Sequence, residues 1–312
     1  MGHSITVSEN LGILSENMTV DKWNLIIKIY KQEFSKKEYD GVIFAHGTDT
    51  LAYSASLFSI LLADTKKPVF FASSNARLDT PTANGNDNFK CAVECICRGI
   101  VPDVYVPYKN ISDGRMYLHK GSRLEQCKNY SDDFYSVGAI DITELNDANF
   151  SEFNNTLRSE HSLVSKKKFM DINDDFSLSD CVLLINPYVG NNYSAYNYSS
   201  FSAVLHGSYH CGTACVEKTE YNEEYGNSSI LYMLDKCAEN NVDVYITPTR
   251  QVGEFYDTIR VMANHGERKI NLLYGTTQET AYTKLLIAYS VFNNKKDIEK
   301  FMNTQINFEF IK

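Results

Sequence analysis

Asp40-Gly41-Val42-Ile43-Phe44-Ala45-His46-Gly47-Thr48-Asp49-Thr50-Leu51-Ala52-Tyr53 is the stretch on which the fold turns. Gly41 to Ala45 is a short apolar run bounded by Tyr39-Asp40 and His46-Gly47, the pattern of a buried strand. Leu51, Ala55, Phe58 and Leu62 follow at spacings of four, three and four, a single core-facing helical stripe. A strand handed to a helix through a glycine turn delivers the Thr48 hydroxyl and the Asp49 carboxylate side by side at a helix N-terminus. Free N–H groups and the helix dipole favour an anionic ligand group there, and the Asp49 carboxylate suits an ammonium. The pair therefore suits an amino acid, whose two charges are opposite, and the hydroxyl can orient a water or attack an amide. A plainer role fits as well, with Thr48 or Thr50 capping the helix and Asp49 in its first turn.

Working outward, Asn17 to Tyr30 reads as a helix with Thr19 as its cap and Trp23, Ile26, Ile27 and Tyr30 on one face. Downstream, Val69–Ala72 and Asp103–Val106 read as strands, with Phe89, Ala92, Val93 and Ile96 forming a helical face between them. Strands alternating with helices predict an α/β fold with a doubly wound, mostly parallel sheet. Ligands bind outside the carboxyl ends of such strands, which singles out the loops His46–Thr50 and Ser73–Asn75. From about Thr143 to Asp180 the chain turns polar and irregular, and its basic run Lys166-Lys167-Lys168 reads as a solvated face. Strands at Val182–Ile185, Ala203–Leu205 and Val242–Ile246 and a helix at Ile230–Cys237 follow, with Thr276 and Glu279 as a capping box ahead of Ala281, Leu285 and Ala288. The expected organisation is an N-terminal α/β domain over 1–145, a linker or insertion over 146–179, and a smaller α/β domain over 180–312.

A chain of 312 residues exceeds the size at which single cores divide, and 43% hydrophobic with 22% charged residues is ordinary globular composition. The formal charge of −9 argues against nucleic acid or an anionic membrane as partner and points to a small solute. The longest apolar stretches, such as Cys181–Asn186, fall far short of a membrane span, and the N-terminus carries no signal pattern. The expected location is the cytoplasm, so the eight cysteines are expected as reduced thiols, with Cys91, Cys95 and Cys97 packed in the core. His206, His210, Cys211 and Cys215 are the one cluster with metal-like spacing, but they lack a two-plus-two ligand arrangement, and no metal is expected.

His46-Gly47-Thr48-Asp49-Thr50 resembles the second signature of the L-asparaginase/glutaminase family, and Ala52-Tyr53-Ser54-Ala55-Ser56 extends the likeness toward its cytosolic bacterial branch. Ser15-Glu16-Asn17-Met18-Thr19 with Trp23 matches the family's substrate-carboxylate loop and the helix after it. Lys67-Pro68-Val69, Ser73-Ser74-Asn75, Asn84-Gly85 and Asn88 fit the segments that follow. Leu118 to Arg123 and Asp133-Phe134 bracket the region that holds the family's catalytic lysine. Asn186 to Gly190 and Gly275 through Leu286 resemble its C-terminal domain.

The resemblance implies hydrolysis of the side-chain amide of L-asparagine to L-aspartate and ammonia, without a cofactor, in a homodimer or homotetramer. By it, Thr48 and Asp49 belong to a Thr-Lys-Asp triad and Ser15 holds the substrate α-carboxylate. Glu16 contacts the substrate backbone, and Gly47 and Ser74 complete the expected substrate-binding set.

The sequence departs from the pattern in four places. The family's first signature, a Thr-Gly-Gly-Thr-Ile run carrying the nucleophilic threonine, has no counterpart, and the likeness of Gly2-His3-Ser4-Ile5 to it reads as coincidence. If Arg123 keeps its register, the triad lysine position falls on Gln126, which cannot relay a proton, and a shifted loop would be needed to bring Lys128 back. Glu16 and Asn84 replace a neutral side chain and a carboxylate. Two readings follow: an enzyme whose true start lies upstream of Met1, or a catalytically inactive relative that keeps the amino acid pocket. A third, an amidase component feeding ammonia to a tRNA-linked transamidation, is disfavoured because no extra N-terminal domain is seen.

Overall fold

The computed structural model describes residues 4–8, 11–36, 38–164, 175–217, 225–249, 256–266 and 270–311. The chain forms two compact units, Met1–Leu178 with Asn303–Glu309, and Ser179–Met302 with Phe310–Lys312.

The first unit holds a five-stranded sheet in sequential order: β1 Val42–Ala45, β2 Val69–Ala72, β3 Val104–Lys109, β4 Met116–Lys120 and β5 Ile140–Asp141. β1 pairs with β2 and β2 with β3 in parallel, as the alternation with α2 (Leu51–Leu61) and α3 (Gly85–Cys97) predicts. β4 and β5 then add antiparallel, which the sequence pattern does not indicate because His119 and Lys120 are buried polar residues. α1 (Val20–Lys36) starts after Thr19, whose hydroxyl accepts from Lys22 N at 3.4 Å.

The stretch expected as an irregular linker contains α4, Phe150–Leu163. Phe150 and Leu157 join the core cluster around Phe70, Tyr105 and Leu118. The buried Asn154 accepts from Val101 N at 2.8 Å and donates to Gly99 O at 3.0 Å, so a polar-looking helix is tied into the first unit. The basic run 166–168 lies outside the described residues. Near the other end of the chain, Asn307 belongs to the first unit, where its amide donates to Ser59 O at 3.0 Å and Asp103 Oδ1 at 2.7 Å.

The second unit holds four parallel strands in sequential order: β6 Val182–Ile185, β7 Ala203–Gly207, β8 Asp243–Thr249 and β9 Asn271–Tyr274. Its described helices are α5 Ile230–Glu239, α6 Asp257–Ala263, α7 Gln278–Val291 and α8 Lys295–Asn303. α7 is capped one residue later than the sequence suggests, since Thr277 accepts from Thr280 N at 3.2 Å.

Cys91 and Cys95 pack in the core of the first unit, but Cys97 is exposed. None of the eight cysteines forms a disulfide. His206 is fully buried and its Nε2 lies 2.8 Å from Tyr193 Oη. Among the described residues no group of three or more His, Cys, Asp or Glu side chains converges as metal ligands, and no described helix is long and apolar enough to cross a membrane.

Candidate active site

The parallel strands of the first unit end in loops on one edge of the sheet, and the loop after β1 carries the motif. His46 N donates to Ala72 O at 2.9 Å, so the β1–β2 ladder reaches as far as the turn. Gly47 is required by a close approach: a Cβ there would lie 2.4 Å from Ser15 Oγ. Ser15, from a short 3-10 turn over Ser15–Asn17, is buried against it.

The contact between Ser15 and Asp49 organises the site. The Ser15 hydroxyl donates to Asp49 Oδ2 at 3.1 Å and accepts from Asp49 N at 3.3 Å. The carboxylate itself is exposed, ready to meet a solute. The Thr50 hydroxyl donates to Ser15 O at 2.9 Å, and although Thr50 stands at the N-cap of α2 its side chain makes no capping bond. The plainer capping role is thereby replaced by a bond that holds the Ser15 turn against the motif. Thr48 is half-buried, and among the described residues its hydroxyl makes no hydrogen bond.

Neighbouring side chains brace the turn. His46 Nδ1 lies 2.7 Å from Gly47 O and Nε2 lies 2.9 Å from Ser54 Oγ, which also accepts from Trp23 Nε1 at 2.9 Å. Burial lowers the His46 pKa below its ordinary 6.5, which keeps the ring neutral. The helical pattern of the sequence places Trp23 only on a core face. An indole N–H that must find an acceptor when buried is the signal for more.

The other expected residues sit differently. Glu16 is exposed in the Ser15–Asn17 turn. Ser74 follows β2, and its hydroxyl donates to Ala76 O at 2.6 Å. Among the described residues no hydrogen bond joins Glu16 or Ser74 to Ser15, Thr48 or Asp49.

Asn84, which stands where the family pattern has a carboxylate, is buried and structural: Oδ1 accepts from Asn75 N at 2.9 Å and Nδ2 donates to Lys109 O at 2.7 Å. The carboxamide supplies both the donor and the acceptor, whereas an ionised carboxylate would only accept.

Lys128, expected to return to the motif through a shifted loop, lies apart from Asp49 in the hydrogen-bond pattern. It is exposed, and among the described residues neither a hydrogen bond nor an ion pair joins it to Asp49. Gln126 is the neighbour instead, its Nε2 donating to Asp49 O. The loop turns back on itself after Gln126: Ser131 N donates to Lys128 O at 3.0 Å, and Cys127 Sγ donates to Ser131 O at 2.8 Å.

The family description "Asparaginase, N-terminal" matches residues 2–157. The chain belongs to the asparaginase family. Among relatives, a glutamyl-tRNA(Gln) amidotransferase component of Methanosphaera stadtmanae is 24% identical over 98% of this chain and 67% of its own length. The same component in Haloquadratum walsbyi is 32% identical over 58% of this chain but only 39% of its own, so the match spans well under half of that relative. Among solved structures, the thermostable L-asparaginase from Thermococcus kodakarensis superposes with a TM-score of 0.63 at 18% identity, covering 96% of this chain and 84% of that one. L-asparaginase I from Vibrio cholerae gives 0.61 at 20% identity with the same coverage. These structures share the two-domain asparaginase-like α/β fold.

Proposed function

We propose that this asparaginase-family protein is an amidohydrolase that cleaves the side-chain amide of L-asparagine to L-aspartate and ammonia. The observation that carries the reading is the Ser15–Asp49 contact at the carboxyl end of β1, which pairs a hydroxyl with an exposed carboxylate. The carboxylate matches the substrate ammonium, and the Ser15 hydroxyl matches the substrate carboxylate once it turns from Asp49. Amide hydrolysis of this kind is acyl transfer, in which a hydroxyl or an activated water attacks the carbonyl. Thr48 carries the hydroxyl beside that site. A homodimer or homotetramer in the cytoplasm, using no metal or organic cofactor, belongs to the same proposal by analogy with the family.

Two further observations favour other readings. Gln126 at Asp49, with Lys128 exposed and unbonded to it, takes the triad lysine away from the motif and favours a protein that binds an amino acid without turning it over. The names of the amidotransferase relatives favour glutamine as amide donor for a tRNA-linked transamidation. Ammonia release from L-asparagine and L-glutamine, compared between the wild type and Thr48→Ala, separates all three. Asparaginase predicts release from asparagine that Thr48→Ala abolishes, and a preference for glutamine favours the transamidation role. No release, with L-aspartate still raising the Tm, favours binding alone. Equal release from both proteins removes the motif from the chemistry.

A further inference from the structure

The amino acid reading leaves the half-buried His46 of the motif without a task. His46 stands at the end of β1, edge-on to Phe71 with ring centroids 5.9 Å apart, and both ring nitrogens are engaged. We propose that His46 is a positioning residue, which fixes the Gly47–Thr48 peptide so that the Thr48 N–H faces the ligand beside Asp49. The inference rests on the amino acid reading of this site.

The proton positions follow from what each partner can do. An indole N–H only donates, so Trp23 takes a lone pair of Ser54 Oγ. A carbonyl only accepts, so His46 Nδ1 carries the proton at 2.7 Å from Gly47 O. In a neutral ring Nε2 is then an acceptor, and the Ser54 hydroxyl donates to it at 2.9 Å. Three bonds in series therefore select one tautomer and hold one carbonyl. Trp23 and Ser54 are both buried, so water does not compete for the Trp23–Ser54 bond that starts the series.

A trans peptide is planar, with its C=O and N–H pointing oppositely. Drawing the Gly47 carbonyl toward the imidazole turns the Thr48 N–H away from it. Among the described residues no group accepts from that N–H, whereas the next amide, Asp49 N, meets Ser15 Oγ at 3.3 Å. One donor is thus satisfied by the protein and its neighbour is left for a ligand oxygen.

The test compares the full-length wild type with Ser54→Ala, His46→Leu and His46→Asn. Imidazole and amide nitrogens are followed by NMR and L-aspartate affinity by calorimetry. Ser54→Ala removes the bond to Nε2 without adding bulk, and keeps the test open where His46→Leu fails to fold. The wild type is expected to carry its proton on Nδ1. Ser54→Ala is expected to let the other tautomer appear, to move the Thr48 amide resonance, and to weaken aspartate about tenfold, the scale of one hydrogen bond. His46→Leu is expected to lose more, and His46→Asn, whose amide can still reach the carbonyl, to recover most of it. Ser54→Ala with an unmoved Thr48 amide and wild-type affinity overturns the proposal, as does Asn binding no better than Leu. A wild type that ignores aspartate overturns the amino acid reading instead, and the tautomer and Thr48 amide then judge the hold of His46 on the peptide alone.

Discussion

Two loops of the first unit meet at Asp49 and are built on opposite plans. The 46–50 turn directs its hydrogen bonds to other elements: Ser15, Ser54 and the end of β2 each take part. The 124–133 loop closes several bonds on itself through Lys128 O, Ser131 and the Asp133 backbone, reaches the β3–β4 turn where Asp133 Oδ1 accepts from Ile111 N at 2.6 Å, and meets Asp49 through Gln126. A turn held from several elements keeps side chains in a fixed relation, as a ligand site requires. A loop closed on itself fixes its own shape and leaves Lys128 in solvent.

This contrast ranks the effects of perturbing it. Gly47→Ala strikes the most constrained point, because the new Cβ would fall 2.4 Å from Ser15 Oγ and expel it. Aspartate affinity, read by calorimetry, is expected to fall about 100-fold, the scale of an ångström of misplacement at a site.

The second effect is on stability at acid pH. His119, whose Nδ1 lies 2.8 Å from Ser136 Oγ, anchors the flank of the second loop, and burial lowers its pKa from 6.5 to about 3. Its folded-state pKa is depressed, so the unfolded chain takes up the proton first. Stability is fully present above pH 6.5 and is lost as pH falls toward 3. His119→Gln, followed by urea titration across that range, is expected to flatten the slope.

Gln126→Ala removes the bond from this loop to Asp49 O and is expected to cost binding about 0.5–1.5 kcal/mol. Lys128→Ala is expected to change affinity and Tm least, within about 0.5 kcal/mol in stability. A large loss of ammonia release on Lys128→Ala would erase the contrast and return that lysine to the site.

The parts of the molecule legible in the sequence are those where hydrophobic period and punctuation agree. β1, β2 and α2 are such elements: apolar runs closed by glycine or proline, and a helical stripe of four residues. The motif on the turn between them is legible because the sheet topology dictates where such a turn lies. α4 is hidden, since Asn and Ser dilute the stripe of Phe150 and Leu157, and a buried Asn154 has no signature in a single sequence. The position of Lys128 is not legible because sequence spacing does not reveal where a loop folds back. Tyr130 does so here with a φ of +60°, a conformation that its side chain does not announce. The Trp23–Ser54–His46 series is illegible for a related reason, because it links three elements whose register only the fold supplies.

Calorimetric titration of L-aspartate into the wild type and Asp49→Asn tests most directly whether the exposed carboxylate beside Ser15 receives an amino acid. Saturable binding to the wild type is expected, with a loss of about 1.5–3 kcal/mol when the charge that meets the ligand ammonium is removed. Equal affinity in the two proteins, or no binding by the wild type, would contradict it.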